Sequence, residues 1–186
     1  MLKGLRNRVR RENEPRVLIV GLDNAGKTTL LNTLGESDVN DDENTRKTPA
    51  APEGPTHGFN IKTLTRGDRR AKLCDLGGQR ALREYWQDYY NNADCIMYVV
   101  DSSDHRRLEE AHTSFVDVLN GIPGVPVLVL ANKQDLATAK TPQVIAESLH
   151  LQESRDRKWH IQGCSAKSGM GLEEGVAWIL SVCTSW

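Results

Sequence analysis

The chain has no apolar run long enough to cross a bilayer: its longest, around Cys95–Val100 and Val125–Ala131, fall far short of the roughly 20 residues required. Its N-terminus alternates Leu with Arg and has no hydrophobic stretch. No secretory signal is therefore expected, and the reading is a cytoplasmic protein in a reducing compartment. Cysteine is scarce. Cys74, Cys95, Cys164 and Cys183 are scattered, with no CxxC pair and no His at zinc spacing, so they read as buried free thiols. Cys183 lies four from the end, but Thr184 and Ser185 are not aliphatic and Trp186 is not a usual last residue, so prenylation is not expected. Charge of one sign is lacking too. Twenty-four basic against 25 acidic residues excludes a broadly basic nucleic-acid coat and an acidic disordered tail. Fifteen Gly, 7 Pro and no internal repeat exclude collagenous and low-complexity classes.

What remains is 186 residues, enough for one domain with a real core. From Arg16 onward, β-branched runs alternate with helical patterns, as in βαβ units. Strands are expected at 17–20, 59–65, 69–73, 95–100, 127–131 and 159–164, and helices near 27–34, 81–92, 106–120, 142–149 and 172–183. Arg66-Gly67-Asp68 turns an antiparallel hairpin. The expected fold is an α/β open sheet, mostly parallel, with one antiparallel hairpin strand at its edge. Two segments stand apart. Residues 1–16 carry six basic side chains against Glu12 and Glu14, which makes 1–15 a basic arm ahead of a domain at 16–186. Residues 36–55 hold six acidic residues, two basic ones and three prolines, with Val39 their only large aliphatic side chain. Such a segment buries too little to offset its ordering entropy and reads as a long mobile loop.

Gly21-Leu22-Asp23-Asn24-Ala25-Gly26-Lys27-Thr28 fits GxxxxGK[ST] between a strand and a helix, the context that motif needs. Its glycines let backbone N–H groups turn inward around a phosphate, and the helix N-terminus adds partial positive charge. The phosphate-contacting stretch is read as Asp23, Asn24, Ala25, Gly26, Lys27, Thr28 and Thr29. Lys27 reaches the β- and γ-phosphates and the Thr28 hydroxyl meets Mg2+.

Asn132-Lys133-Gln134-Asp135 follows a strand at the carboxyl edge, where open α/β sheets bind ligands. The Asp135 carboxylate can accept from both guanine N1–H and N2–H2; adenine offers no such donors and would leave the charge unpaired. Ser165-Ala166-Lys167 would complete the pocket, with the Ala166 N–H on guanine O6. The expected ligands are GTP and GDP.

Asp75-Leu76-Gly77-Gly78-Gln79 follows the third strand. Asp75 would hold Mg2+ through water, Gly78 would bring its N–H to the γ-phosphate and Gln79 would orient the attacking water, with Lys27 assisting catalysis. Thr56 is the best candidate for a second Mg2+ hydroxyl, with Thr45 and Thr48 as rivals, while His57 is given no role. Losing the γ-phosphate would release both segments. A GTP-binding module without hydrolysis is the alternative from another class, and a P-loop kinase is a weaker one.

GLDNAGKTTLL at 21–31, GFNIKTL at 58–64, DLGGQR at 75–80 and ANKQDL at 131–136 resemble the small Ras-like GTPases of the ADP-ribosylation-factor group. REYWQDYY at 83–90 and RDRKWHIQGCSA at 155–166 are most similar to its factor-like branches 2 and 3. The resemblance covers Arg16 onward, apart from the acidic loop. It implies a six-stranded sheet, GTP-dependent sliding of the 58–75 hairpin with displacement of the N-terminal arm, and slow intrinsic hydrolysis accelerated by an activating protein. It further implies an exchange factor and effectors: β-sandwich carriers of lipidated cargo in ciliary or membrane trafficking, or alternatively tubulin-folding factors. The family's aromatic effector triad maps to Phe59, Cys74 and Tyr89, with Cys74 where Trp is usual. The loop at 36–55 is longer than the family's by about a dozen residues, and Leu2 stands where N-myristoylation needs Gly.

In the arm, Leu2, Leu5 and Val9 share one helical face among basic residues. Residues 2–11 read either as a weak contact with an anionic membrane surface or as an arm docked on its own domain. No nucleic-acid reading motif is present, and a monomer is expected.

Overall fold

The computed structural model describes residues 14–35, 58–91 and 93–183. The basic arm before Glu14, the acidic segment 36–55, and Thr56 and His57 lie outside the described residues. Strands and helices follow in the order β1 (Arg16–Val20), α1 (Lys27–Leu34), β2 (Phe59–Arg66), β3 (Arg69–Leu76), α2 (Gln87–Tyr90), β4 (Cys95–Asp101), α3 (Leu108–Gly121), β5 (Val127–Asn132), α4 (Pro142–Ser148), β6 (Trp159–Gly163) and α5 (Leu172–Cys183).

The strands form one six-stranded sheet in the order β2-β3-β1-β4-β5-β6. Only β2 and β3 pair antiparallel, joined at Arg66↔Arg69, and every other pair is parallel. The α/β sheet and its edge hairpin match the expectation. No helix among the described residues is long and apolar enough to cross a membrane.

The central strands read as unbroken apolar runs because both their faces are covered. Val17 and Ile19 of β1, Met97 and Val99 of β4 and Leu128 and Leu130 of β5 pack on α1 and α5. The alternate residues Leu18, Val20, Ile96, Tyr98, Val100, Val127 and Val129 pack on the other face with Phe115 and Val118 of α3 and Ile145 of α4. Tyr98 sits edge-on to Phe115 at 4.9 Å and donates its hydroxyl to the Ala111 carbonyl, so the one polar atom on that ring is satisfied.

Two expectations differ from the structure. The helix expected at 81–92 is a 3-10 run, Arg80–Trp86, followed by the single turn of α2. Two side chains of the run reach back to the backbone before it: Arg83 Nε donates to the Gly78 carbonyl at 2.9 Å and Trp86 Nε1 to that of Gly77 at 3.0 Å. Tethered at its start to the end of β3, the segment winds more tightly than an α-helix. The cysteines also differ. Cys74 and Cys164 are free and buried, but Cys95 and Cys183 form a disulfide with Cα atoms 6.2 Å apart. The last turn of α5 crosses the start of β4, a juxtaposition of positions 88 apart in sequence that residue spacing does not reveal.

Candidate functional site

The loops after β1, β3, β5 and β6 meet at the carboxyl edge of the sheet. After β1 the chain curls through Gly21 (φ 144°), Asn24 (φ 61°) and Gly26 (φ 98°). A methyl group on Gly21 would overlap the Val99 carbonyl, and one on Gly26 would overlap the Asn132 amide, so both positions need glycine for space as well as for backbone angle. Left-handed residues interleaved in this way let successive N–H groups face a common point, which is an anion-binding concavity at the start of α1.

Lys27 opens α1 and is buried, with its ammonium donating to the Leu22 carbonyl at 2.8 Å. Burial pulls its pKa down to about 8, against the upward pull of Asp75 and Asp23. Thr28 donates its hydroxyl to Asp75 Oδ2 at 2.7 Å. Asp75 is fully buried, and its second oxygen, Oδ1, has no hydrogen-bond partner. Burial raises the Asp75 pKa, and the Thr28 hydroxyl and Lys27 oppose that rise. An orphaned carboxylate oxygen beside a threonine hydroxyl is a donor set suited to a hard divalent cation, so these residues fit Mg2+. Thr29 lies exposed in the first turn of α1.

Gly78 lies directly over this loop. Its carbonyl accepts from the Asp23 N–H at 3.1 Å. A side chain there would overlap Lys27 Nζ and approach the Asp23 nitrogen and the Gly21 oxygen to 2.6 Å. Gln79 is half-buried and extended (φ −61°, ψ 143°) just before the 3-10 run.

At the end of β5, the buried Asn132 ties three segments together. Its Nδ2 donates to the Ala25 carbonyl at 2.8 Å, while its Oδ1 accepts from the Ala166 N–H at 2.9 Å and from the Cys164 thiol. Lys133 is left-handed (φ 65°) and pairs with Asp101 Oδ2 at 2.6 Å. Asp135 is exposed; a hydrogen bond from the buried Ser165 holds its carboxyl below the usual range, helped by Lys167 and Lys133. Gln134 N–H bonds the Cys164 carbonyl at 3.0 Å, which keeps the loops after β5 and β6 together.

The structure thus brings the 21–29, 75–79, 132–135 and 165–167 segments to one edge, while Thr56, Thr45 and Thr48 lie outside the described residues. It also adds side chains outside the expected site residues. Arg107 binds Asp23 Oδ1 at 2.8 Å, and Arg83 and Arg107 share Glu110, each at 2.8–2.9 Å. Asn60 pairs with Asp75 across the hairpin register. These four residues come from β2, the 3-10 run, the approach to α3 and α3 itself, and no local pattern in the chain links the four together.

Fold and loops together define a small-GTPase domain: a doubly covered α/β sheet with a glycine-rich loop after β1 and further loops after β3, β5 and β6 gathered at the same edge. The chain belongs to the ADP-ribosylation factor family, whose model matches residues 1–183. It is 44% identical to ADP-ribosylation factor-like protein 3 of Chlamydomonas reinhardtii over 182 residues, 97% of this chain and 95% of that one. It is 38% identical to ADP-ribosylation factor-like protein 2 of Dictyostelium discoideum, covering 97% and 93%. The Arl6 BBS3 small GTPase from Trypanosoma brucei, solved with bound nucleotide analogue GppNp, aligns at TM-score 0.77 and 32% identity over 92% of this chain and 98% of that one. Members of this family are generally GTP hydrolases that work with effectors, activating proteins and exchange factors.

Proposed function

We propose that this chain is a Mg2+-dependent molecular switch that binds GTP, hydrolyses it slowly alone and faster with an activating protein, and engages effectors while GTP is bound. The observation that carries the reading is the Asn132 side chain, which braces the phosphate loop against the Ala166 loop and so joins a phosphate cradle to a purine pocket. Asp23 through Thr29 take the phosphate tail. Lys27 trades its carbonyl partner for β- and γ-phosphate oxygens. Asp135 accepts from the guanine edge, flanked by Lys133, Ser165, Ala166 and Lys167.

Thr28, Asp75 (through a water) and Thr56 would hold Mg2+, which would supply positive charge to offset that of the phosphates. Gln79 orients the attacking water, and Gly78 turns its N–H to the γ-phosphate. Among the described residues, no arginine lies free over the cradle: Arg83 and Arg107 are both committed to Asp23 and Glu110. This arrangement supports slow intrinsic turnover and an external activator. Nucleotide titration of the purified chain tests the assignment. Guanine nucleotides should bind at least about 10³-fold tighter than adenine nucleotides, and a preference for ATP would overturn it.

The effector side of the proposal rests on Phe59 and Tyr89, whose rings lie 5.6 Å apart at the exposed end of β2, with Ile61 exposed beside them. Cys74, in register with Ile61, contributes little there because it is almost fully buried. We assign this apolar surface to β-sandwich carriers of lipidated cargo in ciliary or membrane trafficking. Gln79→Leu should abolish stimulated hydrolysis and retain GTP, and affinity purification with that variant should recover such carriers. Recovery of tubulin-folding factors instead would replace the assignment.

A further inference from the structure

Arg83 reaches the Gly78 backbone, Asp23 of the phosphate loop and Glu110 of α3 at once. Its Nε donates to the Gly78 carbonyl at 2.9 Å, and its terminal nitrogen lies 2.9 Å from Glu110 Oε1 and 3.6 Å from Asp23 Oδ1. Glu110 is held in turn by Arg107 Nε at 2.8 Å, and Arg107 grips both Asp23 oxygens at 2.8 and 3.3 Å. Two cations and two anions thus close a loop that leaves Arg83 little freedom to move.

The position held matters. The Gly78 carbonyl that Arg83 bonds is the same one that accepts the Asp23 N–H, and Gly78 packs on the Lys27 ammonium. The Asp23 amide and the Lys27 ammonium are the donors a terminal phosphate would need. A γ-phosphate therefore competes with the Gly78 carbonyl, whereas a diphosphate reaching less far up the cradle does not.

We propose that Arg83 sets the chain's relative affinity for guanosine tri- and diphosphate by clamping the Gly78 carbonyl over the phosphate cradle. The proposal rests on the guanine-nucleotide reading above and adds to it a residue that biases which nucleotide is held. A charge-assisted hydrogen bond is equivalent to about a tenfold change in an equilibrium constant or more, and that is the bias at stake.

The test measures dissociation constants of the full chain with Mg2+ for GDP and for a non-hydrolysable GTP analogue. It compares wild type with Arg83→Met, which keeps the apolar stem and removes every donor. The triphosphate-to-diphosphate affinity ratio should rise about tenfold. Glu110→Gln, which releases the clamp's far anchor, should raise it in the same direction by a smaller factor, and this variant decides the matter if Arg83→Met does not fold. Parallel loss of both affinities with an unchanged ratio means that Arg83 only braces the loop, and the proposal falls while the guanine reading stands. If wild type binds no guanine nucleotide, both fall together.

Discussion

Asp135 is exposed, yet its carboxyl is held in place by Ser165, a residue buried after a different strand. In the proposed pocket, reading a purine edge would need a charge oriented before the ligand arrives, and this serine would supply that orientation. Asp135→Asn should therefore move nucleotide preference from guanosine to xanthosine, because an amide now offers a donor where the carboxylate only accepted. Competitive displacement with the two nucleotides measures this, and an unmoved guanosine preference would remove Asp135 from the pocket.

Arg107, always charged, sets the titration of Asp23 and Glu110. Its guanidinium holds both carboxyls below their ordinary values of 3.8 and 4.5. A carboxyl lowered in the folded state contributes stability that is present above its unfolded pKa and lost as pH falls through the folded value. Arg107→Gln removes the main cause. The wild-type advantage over this variant in urea midpoint should accordingly be larger at pH 7 than at pH 3. An equal gap at both would contradict the sign. Both carboxylates are over a third exposed, so the effect is modest.

Between elements, the packing of α5 on β4 changes the cysteine chemistry. Burial pushes the Cys74 thiol up to about 11 and that of Cys164 to about 12, so neither is a ready nucleophile at neutral pH. Native protein at pH 8 should release no colour with a disulfide-exchange reagent within minutes. The unfolded, unreduced chain should titrate as two thiols, Cys74 and Cys164, and as four after reduction. Four thiols without reductant would return Cys95 and Cys183 to the free state that their scattered spacing suggests. Arg157, inside the family-like run 155–166, has a structural use. It donates to the Leu119 and Ile122 carbonyls at 3.0 and 2.9 Å, satisfying backbone acceptors at the end of α3.

Across the whole molecule, the four site loops hang from one sheet edge and are braced through Asn132, Asp75 and Glu110, so ligand binding and folding are linked. A ligand that binds only the folded state stabilises it by about 2.7 kcal/mol at a hundredfold excess over its dissociation constant. GDP with Mg2+ should raise the unfolding midpoint in this concentration-dependent way while ADP with Mg2+ does not. Equal stabilisation by both nucleotides would deny the pocket its base selectivity.

Much of this architecture was legible in the chain, because the apolar runs of β1, β4 and β5 admit only a doubly covered sheet and the glycine-rich turn occupies the one place where a strand feeds a helix. The segments 21–29, 75–79, 132–135 and 165–167, which the fold brings to one edge, stand out in the sequence for a related reason: each is a short contiguous string whose backbone shape is set locally. The rest required the folded molecule. Arg83, Arg107 and Glu110 meet Asp23 from separate elements, the 3-10 winding of 80–86 follows from tethers to Gly77 and Gly78, and Cys95 meets Cys183 only where α5 crosses β4. Contacts between distant positions depend on how elements pack. Packing sums many weak non-local terms, whereas a motif records only its own neighbourhood.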